Sequence, residues 1–263
     1  MKLNHVARSE STRFGRALLC LVLLGAVALG VSACAGIVTP SGEVVTETRE
    51  VGEFDKVALS GVGTLIIKPG ATASLTVKAD KNLMPYVTSE TSGGTLEIRL
   101  DTRGRIYKLD ASTTLEYELT APSITAIVNS GSGKVTGGPF SGGSFSITDS
   151  GSGAVDLADV SVLSLSSTVS GSGVVKIESG VTGAQEVTVS GSGSFKAPGL
   201  ESKVTSAKVS GSGSIEIWAT EGLDSTVSGS GSVSYWGSPQ VTKTVSGSGS
   251  VKPLGPKSSS STT

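Results

Sequence analysis

Hydrophobic and polar residues alternate around a Ser-Gly-Ser-Gly motif that recurs through the second half of the chain. The motif begins at Ser130, Ser150, Ser170, Ser190, Ser210, Ser228 and Ser246, so its spacing is twenty positions and then eighteen. Val precedes the motif in the last five copies, and the fifth residue after the first Ser is apolar in every copy. Such period-2 alternation predicts a β-strand in which the Val and both Gly point to one side and the Ser to the other.

The fixed repeat predicts that the copies stack as successive coils of a solenoid. A flexible Gly/Ser linker has no register, whereas a constant period of this length is typical of stacked repeats. At ~3.3 Å per residue, a repeat of about 20 residues gives a circuit of at most ~66 Å, enough for three short walls around a thin core. We therefore predict an all-β fold, a parallel β-helix (β-solenoid) with coils of about 18–20 residues. A β-sandwich or a propeller is the alternative, although a propeller blade needs about twice this period.

The region before the regular repeats contains an early copy of the same pattern. Residues 57–67 place apolar side chains one position before and five and seven positions after Ser60, as the later copies do. Turn residues such as Ser92-Gly93-Gly94 then separate further alternating strands. The apolar residues of these strands are Leu75 and Val77, then Leu96, Ile98 and Leu100, then Leu115, Tyr117 and Leu119. Residues 82–86 are compatible with either a short helix or a turn.

The N-terminus has the arrangement of an export signal, because four basic residues in positions 1–16 precede an apolar run over residues 17–31. The segment Val31-Ser32-Ala33-Cys34 resembles the bacterial lipobox, in which a Cys after small residues is diacylated and becomes the new N-terminus. We predict a lipoprotein signal peptide over residues 1–33 and lipid attachment at Cys34, which would anchor the exported protein to the bacterial cell membrane. Cleavage after Ala33 or Ala35 without lipid, or an uncleaved anchor, is the alternative.

The rest of the chain divides by composition. Residues 34–48 contain Pro40, Ser41 and Gly42 and have little periodicity, which predicts a spacer between the membrane and the domain. The β-helix domain is assigned to residues 49–254. Residues 255–263 form a low-complexity tail that we expect to be disordered.

Composition excludes several kinds of catalysis once residues 1–33 are cleaved, because the only His, His5, and one of the two Cys, Cys20, lie in that segment. The other Cys, Cys34, would be blocked by the predicted lipid. Without an imidazole or a free thiolate, Ser-His-Asp and Cys-His nucleophilic catalysis and His-based zinc sites are excluded. Residues 34–263 carry 17 Lys and Arg and 21 Asp and Glu, a net charge of −4, with no basic stretch and few aromatic residues. Nucleic acid is therefore not an expected partner.

The sequence resembles the bacterial head GIN domain family, described as auto-transporter adhesins and often lipoproteins, over residues 51–254. The resemblance rests on four features: Phe54-Asp55-Lys56-Val57 with Ser60-Gly61-Val62-Gly63, Lys81-Asn82-Leu83, the internal Gly-Ser-Gly copies, and Tyr235-Trp236-Gly237-Ser238-Pro239 followed by Val245-Ser246-Gly247-Ser248-Gly249. It implies a right-handed parallel β-helix on the cell surface and gives no catalytic, cofactor-binding or metal-binding residues to carry over.

Two sets of polar residues invite a site. Asn129 and Asp149 replace the inward Val in the first two regular copies, so they could bind a cation or form a hydrogen-bond ladder. We favour the ladder, because a calcium-binding solenoid would repeat the Asp in every coil. Asp156 and Asp159 could hydrolyse a polysaccharide, but no aromatic sugar platform accompanies them, and we expect both to be solvated charges. Asp156 should lie beside Lys176 on the adjacent coil, where charge pairing across strands explains it without a site.

Two surface features also suggest binding. Trp218 and Trp236 are eighteen positions apart, close to one coil, so we expect them to form an aromatic patch near the C-terminal end that binds a sugar or a partner, or covers the core. The outward Ser rows would form a hydroxyl lattice, which suggests an ice- or glycan-binding surface. Inward Gly packing explains the same motif without such a ligand.

These observations together predict a non-enzymatic cell-envelope lipoprotein whose β-helix presents a long side wall for adhesion or envelope interaction. Its expected partners are the membrane, through the lipid, and a glycan or a surface protein; no cofactor is expected. Two other functions remain open: a polysaccharide-active β-helix enzyme that uses carboxylates, and a passive structural envelope protein. The ligand, the biological process, the choice between inner and outer membrane, and the oligomeric state are not specified by the sequence.

Overall fold

The structure, a computed structural model, describes residues 36–101, 104–110 and 112–257. They belong to one compact unit that spans residues 35–263. Within the described residues, strands dominate and the only helical element is a 3₁₀ turn over Met84–Tyr86, which resolves the choice left open for residues 82–86. The all-β prediction is confirmed.

The first half of the unit builds a coil and a cap. Its strands are β1 (Gly36–Val38), β2 (Val44–Arg49), β3 (Lys56–Gly61), β4 (Thr64–Pro69), β5 (Ser74–Asp80), β6 (Val87–Ser92), β7 (Thr95–Leu100), β8 (Arg105–Tyr107) and β9 (Leu115–Ala121). Strands β7 and β9 pair in parallel with β3 and β4, while β5 pairs antiparallel with both β2 and β9, and β6 with β7. Part of the predicted spacer, from Val44 onward, therefore belongs to the cap, because β2 finds a pairing edge on β5.

The second half winds as a parallel solenoid. Its strands are β10 (Ala126–Gly131), β11 (Lys134–Gly137), β12 (Phe140–Asp149), β13 (Ala154–Gly171), β14 (Val174–Gly191), β15 (Ser194–Gly211), β16 (Ser214–Gly229), β17 (Ser232–Trp236), β18 (Gln240–Gly247) and β19 (Ser250–Gly255). Each coil pairs in parallel with the next, so that Ser170 lies beside Ser190 and, after the repeat shortens, Ser228 lies beside Ser246. The stack makes about six turns. The predicted β-solenoid, in which one sequence repeat forms one coil, is confirmed.

The early copy of the motif takes part in this stack. Strand β3 pairs with β10 so that Ser60 and Gly61 lie beside Ser130 and Gly131. The first coil, β3 and β4, is therefore sandwiched between the cap strands β7 and β9 on one side and β10 and β11 on the other. The strand pattern of residues 57–67 predicted this position correctly, although the strands β5 to β9 separate β4 from β10 in the sequence.

The two Gly residues of each motif have different roles. The first ends a strand with a positive φ, +112° at Gly191, and it is exposed there. A Cβ atom placed on Gly191 would lie 2.6 Å from the carbonyl oxygen of Gly171 on the preceding coil. The second Gly, such as Gly193, is buried. The prediction that both Gly face the interior is therefore wrong for the first, because the chain turns at that residue instead of continuing as a straight strand.

The second Gly of the motif leaves room for a side chain from the preceding coil, and we call this position a glycine socket. A Cβ atom on Gly193 would lie 2.7 Å from Val169 Cγ1, and one on Gly133 would lie 2.6 Å from Leu59 Cδ2. Both distances are well below the ~3.5–4.0 Å at which carbon atoms make contact. Each socket thus receives the residue that precedes the motif one coil earlier, which is apolar except at Gly153 and Gly173, where it is Asn129 and Asp149. This packing fixes both the spacing and the register of the core.

The coil becomes shorter at one place. Between β15 and β16 the register passes directly from Ala197 beside Ile217 to Glu201 beside Trp218, so residues 198–200 have no counterparts in the next coil. A second shift follows between Ser202 beside Ala219 and Val204 beside Gly222, where the next coil has one extra residue, so the coil becomes shorter by two residues in all. Each of the strands β13 to β16 otherwise continues through the turns of its coil without interruption. The shortening of the repeat is therefore a local change at one turn, and Trp218 stands where it occurs.

Candidate functional site

The predicted lipid attachment site, Cys34, lies outside the described residues, as does the signal peptide of residues 1–33. Lipidation at Cys34 therefore stays a prediction. In the part of the chain that the structure describes, no helix has the length and hydropathy needed to span a membrane.

The Asn129 and Asp149 side chains form the predicted ladder inside the core. Both are buried, and Asn129 Nδ2 donates to Asp149 Oδ1 at 3.0 Å and to the Gly133 carbonyl at 3.0 Å. Burial raises the pKa of Asp149 above its ordinary value, and the hydrogen bond from Asn129 opposes that shift without cancelling it. Among the described residues, no three His, Cys, Asp or Glu side chains group as a metal site. The pair is thus a polar replacement of the apolar residue that fills each glycine socket.

The two carboxylates that could have suggested hydrolysis are engaged by neighbours. Asp156 pairs with Lys134 at 2.7 Å, and Asp159 accepts hydrogen bonds from Ser161 at 3.0 Å and Ser179 at 2.9 Å. Asp156 does lie beside Lys176 in register, as predicted, but its ion pair is with an ammonium from the preceding coil. Asp156 is therefore a charge paired across strands, whereas Asp159 is held by hydroxyl groups of its own coil and of the next one.

Trp218 and Trp236 are neighbours on adjacent coils, as the spacing predicted. Trp218 is buried and Trp236 is half-buried, and the Trp236 indole N–H donates to Glu216 Oε1 at 3.0 Å. The ammonium of Lys257 lies 4.9 Å from the centroid of the Trp218 ring and 5.8 Å from that of Trp236. The aromatic patch is therefore covered by the chain's own cation. Of the tail predicted to be disordered, residues 255–257 are described, and residues 258–263 lie outside the described residues.

The outward Ser rows of the motif are solvent-facing, as predicted. Ser190 and Ser192 are both exposed, and Ser170, Ser190 and Ser210 lie side by side on successive coils. The rows form a ladder of hydroxyl groups along one edge of the solenoid. These exposed hydroxyl groups give that edge of the solenoid a hydrated surface.

A second surface, missed by the sequence analysis, combines exposed aliphatic side chains with two grooves. We call Leu163, Val181 and Val204 the apolar patch; their exposed fractions are 74%, 56% and 46%. They lie within residues 161–164, 181–184 and 201–204, which are successive coils at the same turn of the solenoid. Soluble proteins bury most large aliphatic residues, so this exposed set is a candidate for an interaction surface.

The grooves lie on either side of this turn. One, of about 800 Å³, crosses five coils and is lined by residues 164–166, 184–186, 204–206 and 221–224 with Gln240 and Thr242. The other, of about 440 Å³, is lined by Val162, Leu163, Val181, Thr182, Gly183, Glu201 and Lys203. The signal for this surface was present in the sequence, because residues 160, 162, 163 and 165 are apolar at both parities of the strand. Such a strand cannot bury every apolar residue on one face, and Leu163 is the one that it exposes.

Comparison with known proteins was made at three levels. The family model described as "Putative auto-transporter adhesin, head GIN domain" matches residues 53–239. A solved structure of a putative adhesin from Bacteroides fragilis is 25% identical, with a TM-score of 0.77, and the alignment covers 82% of this chain and 100% of that one. No curated protein matches the chain.

Two further solved structures share the fold. A putative lipid binding protein from Parabacteroides distasonis is 23% identical with a TM-score of 0.67, over 83% of this chain and 99% of that one. A putative adhesin from Parabacteroides merdae is 20% identical with a TM-score of 0.68, over 84% of this chain and 100% of that one. With the family model covering most of the described solenoid, the chain belongs to the head GIN domain family of putative auto-transporter adhesins.

Proposed function

We propose that this protein is a cell-envelope lipoprotein that binds a surface partner through the apolar patch and its two grooves, without catalysis. Membership of a family described as adhesins supports a surface location. The observation that carries the proposal is the exposure of Leu163, Val181 and Val204 at one turn of three successive coils.

The charges around the apolar patch favour a partner that is apolar at its centre and polar at its rim. Lys203 and Glu221 lie beside the patch and are separated by 3.9 Å, and Glu186 on the groove wall is 3.4 Å from Lys208. These exposed pairs are screened by solvent and contribute little to stability. They are therefore available to exchange partners across an interface, where they would set orientation more than affinity.

The shape of the solenoid favours an extended partner. The larger groove runs across five coils, so at ~4.8 Å per coil it offers a continuous track of roughly 20 Å. Repeated weak contacts along such a track, made by many copies of the protein on one cell, give strength through avidity. The proposed function is not catalytic. This part of the proposal is supported by Asp156 and Asp159, which are both engaged by neighbouring side chains.

The test is a binding and turnover screen with the compact unit, residues 35–263. Immobilised protein is presented with bacterial surface polysaccharides and host-matrix proteins, and partners are recorded by surface plasmon resonance. The variant Leu163→Ser/Val181→Ser/Val204→Ser removes the aliphatic surface. Ser172→Thr/Ser192→Thr/Ser212→Thr, on the exposed hydroxyl edge, serves as the control.

A partner of the wild type should lose at least about tenfold in affinity with the first variant, which corresponds to ~1.4 kcal/mol. The control variant should bind as the wild type does. If the patch variant binds as well as the wild type, the binding surface is elsewhere. Release of reducing or unsaturated sugar ends above a boiled control would reject the non-catalytic part of the proposal.

A further inference from the structure

We propose that Trp218, Trp236 and the Pro198 carbonyl form a binding site for a primary alkylammonium group, such as the side chain of a partner's lysine, and that Lys257 occupies this site as a plug. This site binds a different ligand, a small cation, from the partner proposed for the apolar patch. Amine binding can therefore be disproved without affecting the proposed adhesion through the apolar patch.

The local shortening of the coil builds the site. Residues 198–200 have no counterparts in the next coil, so the wider coil overhangs the narrower one where Trp218 follows. Trp236 stands beside Trp218 on the next coil, because their two strands pair without a further shift of register. The two indoles are thus held on neighbouring strands ~4.8 Å apart, below the Pro198 carbonyl.

Hydrogen bonding holds one of the two rings in place. The Trp236 indole N–H donates to Glu216 Oε1 at 3.0 Å, and Glu216 lies one coil earlier on the same wall. This bond fixes the orientation of the ring and leaves its π face free for a cation. The carboxylate also places a negative charge next to the site, which favours a positively charged ligand.

Lys257 shows which chemistry the site accepts. Its ammonium lies within ~6 Å of both ring centroids, the range in which a cation is attracted to an aromatic face. The same ammonium donates a hydrogen bond to the Pro198 carbonyl oxygen. A primary ammonium can satisfy both interactions, whereas a quaternary ammonium has no proton to donate to the carbonyl.

The arrangement of Lys257 suits a displaceable plug. Several exposed lysines pair with carboxylates, such as Lys134 with Asp156 and Lys208 with Glu186, whereas Lys257 is held by two rings and a carbonyl. Lys257 is exposed, so solvent reaches it. A tethered competitor of this kind acts at an effective concentration of roughly millimolar, and it lowers the apparent affinity of an outside amine by the fraction of time that it occupies the site.

The experiment measures amine binding to residues 35–263 as wild type, Lys257→Ala and Lys257→Gln. The probes are Nα-acetyl-lysine methylamide, choline and neutral methyl glucoside, followed by ligand-observed saturation-transfer NMR. Intrinsic fluorescence gives a second readout, because both tryptophans of the chain belong to the site. Lys252→Ala is the matched control: it removes an exposed positive charge from the same terminal coil and leaves Lys257 in place.

We expect both Lys257 variants to bind the lysine amide at least about tenfold more tightly than the wild type and Lys252→Ala, which should behave alike. Choline should bind more weakly than the lysine amide, and Trp236→Ala in the Lys257→Ala background should abolish binding. In the unmodified wild type, the lysine amide should give the same saturation transfer at about a tenfold higher concentration, because it must first displace Lys257.

Three results would overturn the proposal. If removing Lys257 gives no gain in amine binding and only lowers the urea midpoint, Lys257 is a structural staple of the tail. If methyl glucoside binds the Lys257 variants as well as the lysine amide does, the rings are a sugar platform instead of a cation site. If excess lysine amide gives no saturation transfer with the wild type, Lys257 is not a displaceable plug, and this result does not depend on whether a variant folds.

Discussion

The packing of Leu59 into the Gly133 socket can be tested with two substitutions, one that adds a methyl group at Gly133 and one that shortens the side chain of Leu59. Gly133→Ala adds a Cβ atom 2.6 Å from Leu59 Cδ2 and 3.2 Å from the Gly63 carbonyl oxygen, so the Leu side chain must give way. Leu59→Val shortens the intruding side chain and removes the contact atom. The double variant should therefore fit better than either single change suggests.

The expected magnitudes follow from the packing of each partner. Overfilling the socket with Gly133→Ala should cost about 1–3 kcal/mol, and the methylene lost in Leu59→Val should cost about 0.5–1.5 kcal/mol. In the double variant the added methyl occupies the space that the Leu vacates, so the combined cost should fall short of the sum by about 1 kcal/mol or more. Gly143→Ala is the control, because no atom lies within 4 Å of its Cβ position; it should be neutral or stabilise by about 0.4–1 kcal/mol.

Urea unfolding of residues 35–263, followed by circular dichroism and tryptophan fluorescence, measures these changes. Both tryptophans lie near the C-terminal end, whereas Leu59 and Gly133 lie near the cap, so coincidence of the two probes also tests whether the solenoid unfolds as one unit. The socket account is refuted if Gly133→Ala is no more destabilising than Gly143→Ala. It is also refuted if the costs of the two single variants simply add.

Three further predictions concern other parts of the molecule. Gly191→Val should lower the urea midpoint by the equivalent of about 1–3 kcal/mol or more, because φ is +112° and the Gly171 carbonyl is close, whereas Ser192→Val on the exposed side should change it little; equal shifts would contradict the stacked turn. Burial raises the pKa of Asp149, so its contribution to stability is fully present below the ordinary value of 3.8 and is lost as pH rises through the folded value. Asp149→Asn should therefore be more stable than the wild type at pH 7 and lose that advantage near pH ~4; an advantage independent of pH would rule this out. Cys34→Ser should move the full-length protein out of the membrane fraction, and retention there would mean that the anchor is not a lipid on this Cys.

The fold was predictable because its information is local and repeated. The Val before the last five Ser-Gly-Ser-Gly motifs and the apolar residue after every motif indicate the inward face, and the period gives the length of the coil. The early copy at Ser60 was predictable for the same reason. The role of the first Gly was not, because a straight strand and a strand that turns at Gly191 have the same sequence alternation; only the positive φ distinguishes them.

The cap and the binding surfaces were harder to predict, since they depend on contacts between distant segments. Val44 and its neighbours show little periodicity and become a strand only because β5 offers an edge to pair with. The apolar patch arises where Leu163, Val181 and Val204 of different coils lie at one turn. None of the three departs strongly from the alternation of apolar and polar residues in its own strand. Lys257 covers both tryptophans only because a coil earlier in the chain is shortened. The sequence of the tail itself therefore gives no sign of this contact.

The central claim, that the apolar patch is the surface through which a cell-anchored protein binds its partner, is tested most directly on whole cells. Cells that display the full-length wild type, Leu163→Ser/Val181→Ser/Val204→Ser or the Ser→Thr control at equal surface density are compared for adherence to immobilised polysaccharides and matrix proteins. The account predicts that wild-type and control cells adhere alike and that patch-variant cells fall to the level of cells lacking the protein. Adherence that is unchanged in the patch variant, or wild-type cells that adhere no better than cells without the protein, would contradict it.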